Sequence, residues 1–355
     1  MSRYLRFRKR TSVSALRRVM TPVISVLAAL AFCALFLALM GHEPIAVYGK
    51  MISTVGSTGG LSRSIEAGIP LMLTGLAVTF GYRMNLNNIG ADGQYALGAL
   101  LCAGFALFGP VMPPVFKILC MFVIAMLGGA LAALIAAFPK AQWGVNETIL
   151  TMMLNYVFLY AMDYLVYGPW KEPGQMVAQT KAIKEKYWLP DLGSTGVSSV
   201  LVIVLLIAVL MYLFHTKTKW GYKMEVIRQN PRAAQYAGMS VRTATLLTLC
   251  MSGAIAGLAG FAQVAGILHR VQANLPDGAG YTGIVIAFLA GLNPLVVPLV
   301  GFFFGALQIS SVAVQLTGVP SQVSTMIQGS IMLFVVAGEF FNRYEFAGVK
   351  SKERA

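Results

Sequence analysis

Charged side chains are scarce in this chain of 355 residues, since Asp, Glu, Lys and Arg make up 11% of it against 57% hydrophobic residues. In soluble domains, charged residues make up roughly a quarter of the sequence. The shortage excludes a water-soluble globular protein. Because apolar runs of about 20 residues recur along the sequence, we expect most apolar side chains to face lipid.

Residues that bind metals or catalyse reactions are also few. The three His stand singly, and the four Cys lie inside apolar runs without the paired spacing of a zinc site. A phosphate-binding Gly-x-x-x-x-Gly-Lys-Ser/Thr motif is missing, with Gly49-Lys50 as the nearest fragment. We therefore expect no metal, cofactor or catalysis on this chain. A membrane enzyme acting on lipid is disfavoured because no acid–base cluster is present.

Acidic residues are about half as numerous as basic ones, and the net charge is +14. The basic residues flank apolar runs instead of covering a polar domain, as expected for cytoplasmic loops of a membrane protein. Seven of them precede Pro22, which predicts a cytoplasmic N-terminus. Membrane lipid is thus an expected partner, and nucleic acid is not.

The apolar runs predict an all-α polytopic membrane protein with about ten transmembrane helices, at least one broken or re-entrant segment, and both termini in the cytoplasm. Proline at position 294 disfavours helix at Asn293, so a break is expected there. The predicted spans are 22–40, 65–83, 87–108, 115–138, 147–167, 198–214, 243–267, 281–293, 295–316 and 322–341.

This topology divides the chain into segments with different surroundings. We predict a basic cytoplasmic N-terminus (1–21), a transmembrane domain (22–342) and a cytoplasmic tail (343–355). Inside the domain, 169–197 is predicted to be an extracytoplasmic loop and 215–242 a cytoplasmic coupling segment. The loop either contacts another protein or only caps the helix bundle, and the sequence leaves both interpretations open.

One polar stretch lies at the mouth of a predicted span. It contains Asn85, Asn87, Asn88, Asp92 and Gln94. Such side chains are costly in a membrane unless protein or water satisfies them. The stretch is either a gate lining a translocation path or a helix start at the membrane interface, where Asp92 suits the positive helix end.

A second polar group lies at the start of another span. Asn146 is predicted to cap the helix, and Glu147 lies in its first turn, so both residues have a structural cap or a gate role. Asn155 is two turns deeper and needs a polar partner across a helix interface or in an aqueous cavity. With Asn293, it joins the candidate path or gate residues.

The coupling segment contains a short predicted helix. Asn230 is a favoured N-cap, Pro231 suits the first helical position, and Gly238 suits the residue after the last turn. A helix this short is unstable alone and must dock. The small side chains of Ala233 and Ala234 would lie against lipid headgroups or against a cytoplasmic protein.

Small residues also recur inside the apolar runs. Gly253 and Gly257, and likewise Gly301 and Gly305, have the four-residue spacing that lets helix backbones approach each other closely. We interpret them as packing positions.

Taken in order, these stretches resemble the permease subunits of bacterial ABC importers in the branched-chain amino acid and ribose superfamily, nearest the nucleoside or simple-sugar group. The family's Asn-Ile-Gly-Ala-Glu-Gly-Gln signature is matched with Asp92 in place of Glu, and Asn87 stands where Phe is usual. The resemblance covers about residues 64–341, and its motifs correspond to Asn88–Gln94, Asn146–Ile149, Met153–Tyr156, Gly221, Asn230–Gly238 and Ala287–Pro294.

The resemblance implies a multi-pass protein of the bacterial plasma (inner) membrane that translocates nucleosides or related neutral sugars. It implies three kinds of partner: a second homologous permease subunit, cytoplasmic ATP-binding subunits that hold ATP and Mg, and an extracytoplasmic substrate-binding protein or lipoprotein. The 230–238 helix would then couple to the ATPase. Ribose-type sugars and branched-chain amino acids remain alternative substrates. An ion-coupled secondary carrier is a weaker alternative, because Asp92, Glu147 and Asp163 are scattered along the sequence.

Overall fold

The computed structural model describes residues 4–9, 15–193, 195–315, 320 and 322–349. The described chain is mostly helical, as the composition predicts. Its α-helices are α1 (Ala15–Leu39), α2 (Pro44–Val55), α3 (Thr58–Tyr82), α4 (Ala91–Phe108), α5 (Pro114–Trp143), α6 (Glu147–Tyr167), α7 (Val200–Lys217), α8 (Lys219–Gln229), α9 (Pro231–Tyr236), α10 (Val241–Phe261), α11 (Ala279–Leu289), α12 (Val297–Gln315) and α13 (Gln322–Arg343). A π-helical turn, Ala262–Ile267, continues α10.

Two short strands depart from the predicted all-α fold. β1 (Tyr4–Lys9) and β2 (Tyr344–Val349) pair antiparallel, with Tyr4 opposite Val349 and Lys9 opposite Tyr344. They fall in the segments predicted as polar termini, where a search for apolar runs does not detect strands. Arg3, Arg10, Lys350, Lys352 and Arg354, which contribute to the charge argument, lie outside the described residues.

The predicted spans correspond to helices, although not all are long. Within the described residues, seven helices have the length and composition to cross a membrane, and three shorter apolar helices (Val23–Leu39, Ala279–Leu289, Thr325–Gly338) match the remaining predicted spans. The chain is thus a helical protein with several membrane spans, while the number ten stays a prediction.

Several predicted boundaries were wrong. The span expected from residue 87 begins as a helix only at Ala91, because the polar residues before it form a loop. Two helices, α2 and α8, were not predicted as separate elements because they are short and carry polar residues. The predicted break at Asn293-Pro294 is present and longer than expected, since no α-helix covers residues 290–296.

The chain forms two compact units, one comprising residues 1–54 and 310–355 and the other residues 55–309. In the first unit, α1 packs along α13, where the rings of Phe32 and Phe334 lie 5.9 Å apart. The Tyr48 hydroxyl donates to the Leu30 carbonyl at 2.7 Å, which attaches α2 to α1.

In the second unit, α3 and α10 form the core. In the apolar stretch of each helix, 83% of α3 and 78% of α10 are buried, whereas only 22% of α6 and of α7 are buried. Helices α4 and α5 pack on α10. The central helices are therefore enclosed within a single chain, and α6 and α7 expose most of their surface.

Glycines bring the central helices into backbone contact. A Cβ atom on Gly257 would overlap the Ala125 carbonyl oxygen and lie 3.0 Å from the Gly129 Cα of α5. The Gly253 position likewise faces Gly129, and Gly305 of α12 faces Gly68 of α3. The predicted packing role of these glycines is confirmed.

The long segment between α6 and α7 is ordered against the chain that follows α10. The Thr180 amide donates to the Val271 carbonyl at 2.9 Å, and the Leu189 amide donates to the Ala265 carbonyl at 2.8 Å. Trp188 stacks on His269 with 3.8 Å between ring centroids. Burial lowers the pKa of His269, so its ring is neutral at pH 7 in this stack. The loop therefore caps this end of the bundle, while a contact with another protein stays a prediction.

We expect Gly257→Ala to lower the free energy of unfolding by ~1–3 kcal/mol, because the new methyl group overpacks the α5–α10 contact. Gly59→Ala is the matched control, since nothing lies within 4 Å of a Cβ built there. Thermal unfolding of the detergent-purified variants measures the difference. Equal melting temperatures for the two variants would contradict the close packing.

Candidate functional site

A buried break joins α3 to α4. Residues 83–90 are not α-helical, and Asn85 has a positive φ of 58°. Asn88 and Gly90 are buried within the break, although neither belongs to a regular element. Polar side chains from several helices surround this backbone and replace the hydrogen bonds that a helix would have made.

Two amide side chains bridge the break. Asn88 Nδ2 donates to Gln94 Oε1 at 2.8 Å, and Gln94 Nε2 donates to Asn88 Oδ1 at 2.9 Å. Asn88 Nδ2 also donates to Ser252 Oγ of α10 at 2.9 Å, and this hydroxyl donates to the Ala77 carbonyl of α3 at 2.7 Å. Asn88 Oδ1 accepts from the Gly90 amide at 3.1 Å. This network holds the break against both central helices.

Asn155 of α6 binds the backbone of the break from the opposite side. Its Oδ1 accepts from the Gly93 amide at 2.7 Å, and its Nδ2 donates to the Ile89 carbonyl at 2.8 Å. A Cβ on Gly93 would lie 2.9 Å from the Asn155 Cα, so only glycine permits this approach. The predicted need for a partner across a helix interface is confirmed. Asn155 Nδ2 also lies 3.4 Å from the Tyr281 hydroxyl of α11.

Asp92 lies at the meeting point of two helix starts. Its carboxylate is in the first turn of α4 and is only 2% exposed. Oδ1 accepts from the Gly280 amide in the first turn of α11 at 2.5 Å. The positive ends of α4 and α11 thus both stabilise this buried carboxylate. Thr74 of α3 donates to the Ala279 carbonyl at 2.9 Å, which attaches α11 to the core nearby.

The start of α6 has the predicted cap. Asn146 Oδ1 accepts from the Thr148 amide at 2.9 Å. Glu147 Oε2 pairs with Lys140 Nζ at 2.7 Å, and its Oε1 accepts from the Asn87 amide at 3.3 Å. The carboxylate therefore links the end of α5 to the break. Among the described residues, no three His, Cys, Asp or Glu side chains are grouped as metal ligands would be.

Two residues predicted to line the path, Asn85 and Asn293, do not take part in this network. The Asn85 side chain is exposed on the turn that leaves α3. Asn293 is half-buried in the second break, where its Oδ1 accepts from the Leu295 amide at 3.1 Å. This bond is a local turn contact and does not reach α4 or α6.

The sequence did not identify three contributors to the site: Ser252, Thr151 and Gly280. Thr151 Oγ1 accepts from the Ile89 amide at 3.2 Å. Ser252 and Thr151 are hydroxyl residues in apolar helices that contain other hydroxyl residues, a pattern that also occurs without function. Gly280 acts through its backbone amide, and side-chain identity gives no signal for it.

The short helix α9 has the predicted boundaries. Asn230 Oδ1 accepts from the amides of Arg232 and Ala233 at 3.1 Å each, Pro231 is the first helical residue, and Gly238 has a φ of +76°. The structure separates the two alanines that the sequence had grouped. Ala234 is fully buried, whereas Ala233 is exposed. Only one face of α9 is therefore free to dock.

Helix α8 connects α9 to the end of α7, which packs against α3. A side chain on Gly221 of α8 would overlap the His215 carbonyl oxygen, so α8 lies directly against the end of α7. His215 in turn contacts Phe80 of α3, with 5.2 Å between ring centroids. A cavity of about 280 Å³ lies at this junction, lined by Arg83 and Glu225 among others. Arg83 is the first residue of the break, so the coupling segment and the break share this cavity.

An ion pair stiffens α8 just before the α9 cap. Arg228 forms a bidentate pair with Glu225, and Gln229 Nε2 donates to Glu225 Oε1 at 2.9 Å. The hydrogen bond from Arg228 is the main reason that the pKa of Glu225 falls to about 2. The carboxylate is therefore ionised at neutral pH and keeps the last turn of α8 joined to its preceding turn.

Comparison with known proteins places this arrangement in a family. The family described as branched-chain amino acid transport system / permease component matches residues 60–336. The glucose ABC transporter permease protein of Haloferax volcanii is 34% identical, over 91% of this chain and 88% of its own length. The nucleoside ABC transporter permease protein of Lactococcus lactis subsp. cremoris is 28% identical, over 90% and 91%. The guanosine ABC transporter permease protein of Bacillus subtilis is 28% identical, over 96% and 99%.

The family match spans both α9 and the whole network around the α3–α4 break. The seven long apolar helices among the described residues agree with an integral membrane protein. This chain therefore belongs to the branched-chain amino acid transport system permease component family of ABC transporter permeases.

Proposed function

We propose that this chain is the permease subunit of an ATP-driven importer for nucleosides or related neutral sugars. Its partners would be a second homologous permease, cytoplasmic ATPase subunits and an extracytoplasmic binding protein that delivers the solute. The family match carries the proposal, and the exposed α9 supports it because α9 provides a docking surface for an ATPase.

In this proposal, α3 ends at the cytoplasmic face and the 169–197 loop lies outside. The ten spans follow from the apolar runs, and the cytoplasmic placement of the termini and of the 215–242 coupling segment follows from the distribution of basic residues. Under this topology the break at residues 83–90, the start of α6 and α9 all lie on the cytoplasmic side. Because all three lie on the same side of the membrane, an ATPase that binds α9 is placed to act directly on the gate.

The cavity between α8 and the end of α3 suggests how motion would be transmitted. A pull on α9 moves α8, because Asn230 alone separates the two helices and caps α9, while the Glu225–Arg228 pair holds the last turn of α8 together. Helix α8 rests against the end of α7, whose His215 ring contacts Phe80 of α3. Displacement there changes the position of Arg83 and hence of the break.

The break is suited to be a gate because side-chain amides hold it in place of a continuous helix. Amide pairs such as Asn88 and Gln94 exchange partners at low cost when each new partner is also polar. The backbone amide of Asn87 and the side chains of Asp92, Asn155 and Glu147 complete the proposed gate. The exposed Asn85 and the distant Asn293 would contribute to the path at its margins.

The substrate class is supported by the relatives, whose names specify glucose, nucleosides and guanosine. Ribose-type sugars and branched-chain amino acids remain alternatives. To decide, the reconstituted complex is given radiolabelled guanosine with an excess of unlabelled uridine, glucose or leucine. We expect uridine to reduce guanosine uptake at least tenfold and leucine to leave it unchanged. Inhibition by leucine alone would contradict the nucleoside assignment.

The docking role of α9 predicts the effect of one exposed residue. Ala233→Glu places a bulky charge on the free face, so we expect ATPase co-purification and solute uptake to fall at least tenfold. Ala182→Glu is the matched control for ATPase co-purification, because Ala182 is also exposed but lies in the 169–197 loop. Normal assembly and uptake in Ala233→Glu would contradict the docking role.

The same preparation tests where ATP is hydrolysed. Purified chain without its ATPase partners is expected to hydrolyse no ATP and to move no solute across sealed vesicles. Turnover by the isolated chain would reject the permease assignment itself, independently of the α9 variants.

The gate role predicts that Asn155→Ala lowers the free energy of unfolding by about 2–5 kcal/mol, since the buried Gly93 amide and the half-buried Ile89 carbonyl lose their partner. Uptake by the assembled complex should fall at least tenfold. Asn87→Ala is the matched control, because the backbone N–H of Asn87, and not its side chain, donates the hydrogen bond to Glu147. Wild-type uptake in Asn155→Ala would show that transport does not need the hydrogen bonds of Asn155 to the break.

A further inference from the structure

Four tyrosines lie on the exposed face of α6. Tyr156, Tyr160, Tyr164 and Tyr167 have 52%, 69%, 74% and 59% of their surface exposed. Their spacing of three or four residues aligns them in one row, opposite the buried face that carries Asn155. We name this row the tyrosine ladder.

Two tyrosines of the ladder lie deeper in the membrane span than tyrosine usually does. Helix α6 has 21 residues, about 31 Å at ~1.5 Å per residue, which equals the thickness of a bilayer core. Tyr156 and Tyr160 lie ~14 Å and ~20 Å from its first residue. Tyrosines of the aromatic belts lie at the membrane interfaces, so a belt position does not explain these two.

Lipid is a poor neighbour for this face. The Tyr156 hydroxyl has a partner in Tyr281, but the bilayer core offers none to the hydroxyl of Tyr160, and an unpaired hydroxyl there costs free energy. Closely packed helices are also a poor neighbour, because such contacts use small residues. The exposed residues of α6 are mostly large, with Ala161 as the small exception. A water-filled path satisfies both constraints.

The ladder begins at the candidate gate. Tyr156 follows Asn155 directly, and Asn155 Nδ2 lies 3.4 Å from the hydroxyl of the partly exposed Tyr281. The Tyr156 and Tyr160 rings are 6.5 Å apart and nearly parallel, at 28°. The row then runs along α6 toward the 169–197 loop. It thus joins the gate to the other end of the same span.

The charge of this face limits what it binds. None of the exposed residues of α6 is charged. The half-buried carboxylate of Asp163 lies beside the row and accepts from the Asn274 amide at 3.3 Å. A carboxylate there repels anions, whereas tyrosine rings stack on planar or sugar faces and their hydroxyls bind solute hydroxyls.

We propose that the tyrosine ladder is the wall of the aqueous translocation path and binds neutral nucleosides in transit. This inference rests on the proposed function, because it assigns the path of that same permease. Phosphorylated nucleosides are excluded from the ladder by Asp163 and by the absence of any cation on the face.

Thiol labelling tests the path without requiring transport. In a variant whose four Cys are replaced by Ala, Tyr160→Cys is introduced and the assembled transporter in vesicles is treated with a membrane-impermeant cationic thiosulfonate. We expect rapid labelling that guanosine slows at least threefold. The matched control is Leu210→Cys, 54% exposed near the middle of the aliphatic helix α7. It should stay unlabelled, because a thiol in lipid is not ionised.

Two results overturn the proposal. Absence of labelling at both Tyr160→Cys and Tyr164→Cys places the ladder in lipid. Disulfide cross-linking of Tyr160→Cys to a second permease without labelling makes it a dry interface. In either case wild-type uptake would still support the permease function, whereas loss of uptake in the wild-type complex would reject that function whatever the labelling.

A kinetic comparison tests the recognition of the solute. Tyr160→Ala should raise the KM for guanosine uptake at least tenfold, while Tyr160→Phe, which keeps the ring, should raise it about threefold or less. ATPase co-purification should be unchanged in both variants, since the ladder lies away from α9. Equal KM values for Tyr160→Ala and wild type would remove the ladder from recognition.

Discussion

The buried backbone between α3 and α4 must satisfy its N–H and C=O groups without a helix, and the architecture around it follows from that requirement. A membrane protein has little water with which to solvate such groups. Asn88, Gln94 and Asn155 therefore supply the hydrogen bonds, and the starts of α4 and α11 stabilise the Asp92 carboxylate. Replacing any one of these side chains leaves a buried polar group without its partner.

This network depends in turn on backbone packing. Asn155 reaches the break because Gly93 has no side chain, and α10 brings Ser252 within reach because Gly253 and Gly257 let it lie against α5. In lipid, where apolar helices gain little by associating through the hydrophobic effect, close van der Waals contact and interhelical hydrogen bonds hold the bundle together. The glycines and the amides thus support one another.

The same geometry places the proposed gate and the proposed coupling segment around one cavity. Helix α9 exposes Ala233 and buries Ala234, α8 transfers its position to the α7 end, and Arg83 begins the break. From the gate, the tyrosine ladder continues along α6 to the opposite end of the span. Within residues 55–309, a short series of contacts therefore links the proposed docking surface on α9 to the break between α3 and α4 and to the tyrosine ladder.

The sequence by itself determined the features that depend on composition and local spacing. The apolar runs located the helices, and the low content of charged residues indicated that the helices face lipid. Asn230, Pro231 and Gly238 fixed the ends of α9, because capping depends only on neighbouring residues. Sequence also predicted that Asn155 needs a partner, because a buried amide in an apolar helix is costly alone. It could not name that partner, because Gly93 lies 62 residues away and contributes only its amide. Tertiary structure alone decided that Ala233 faces outward while Ala234 is buried, that Ser252 and Gly280 complete the network, and that the face of α6 carrying the four tyrosines is exposed. Burial and contact across helices depend on how distant segments pack, and local spacing carries no record of that.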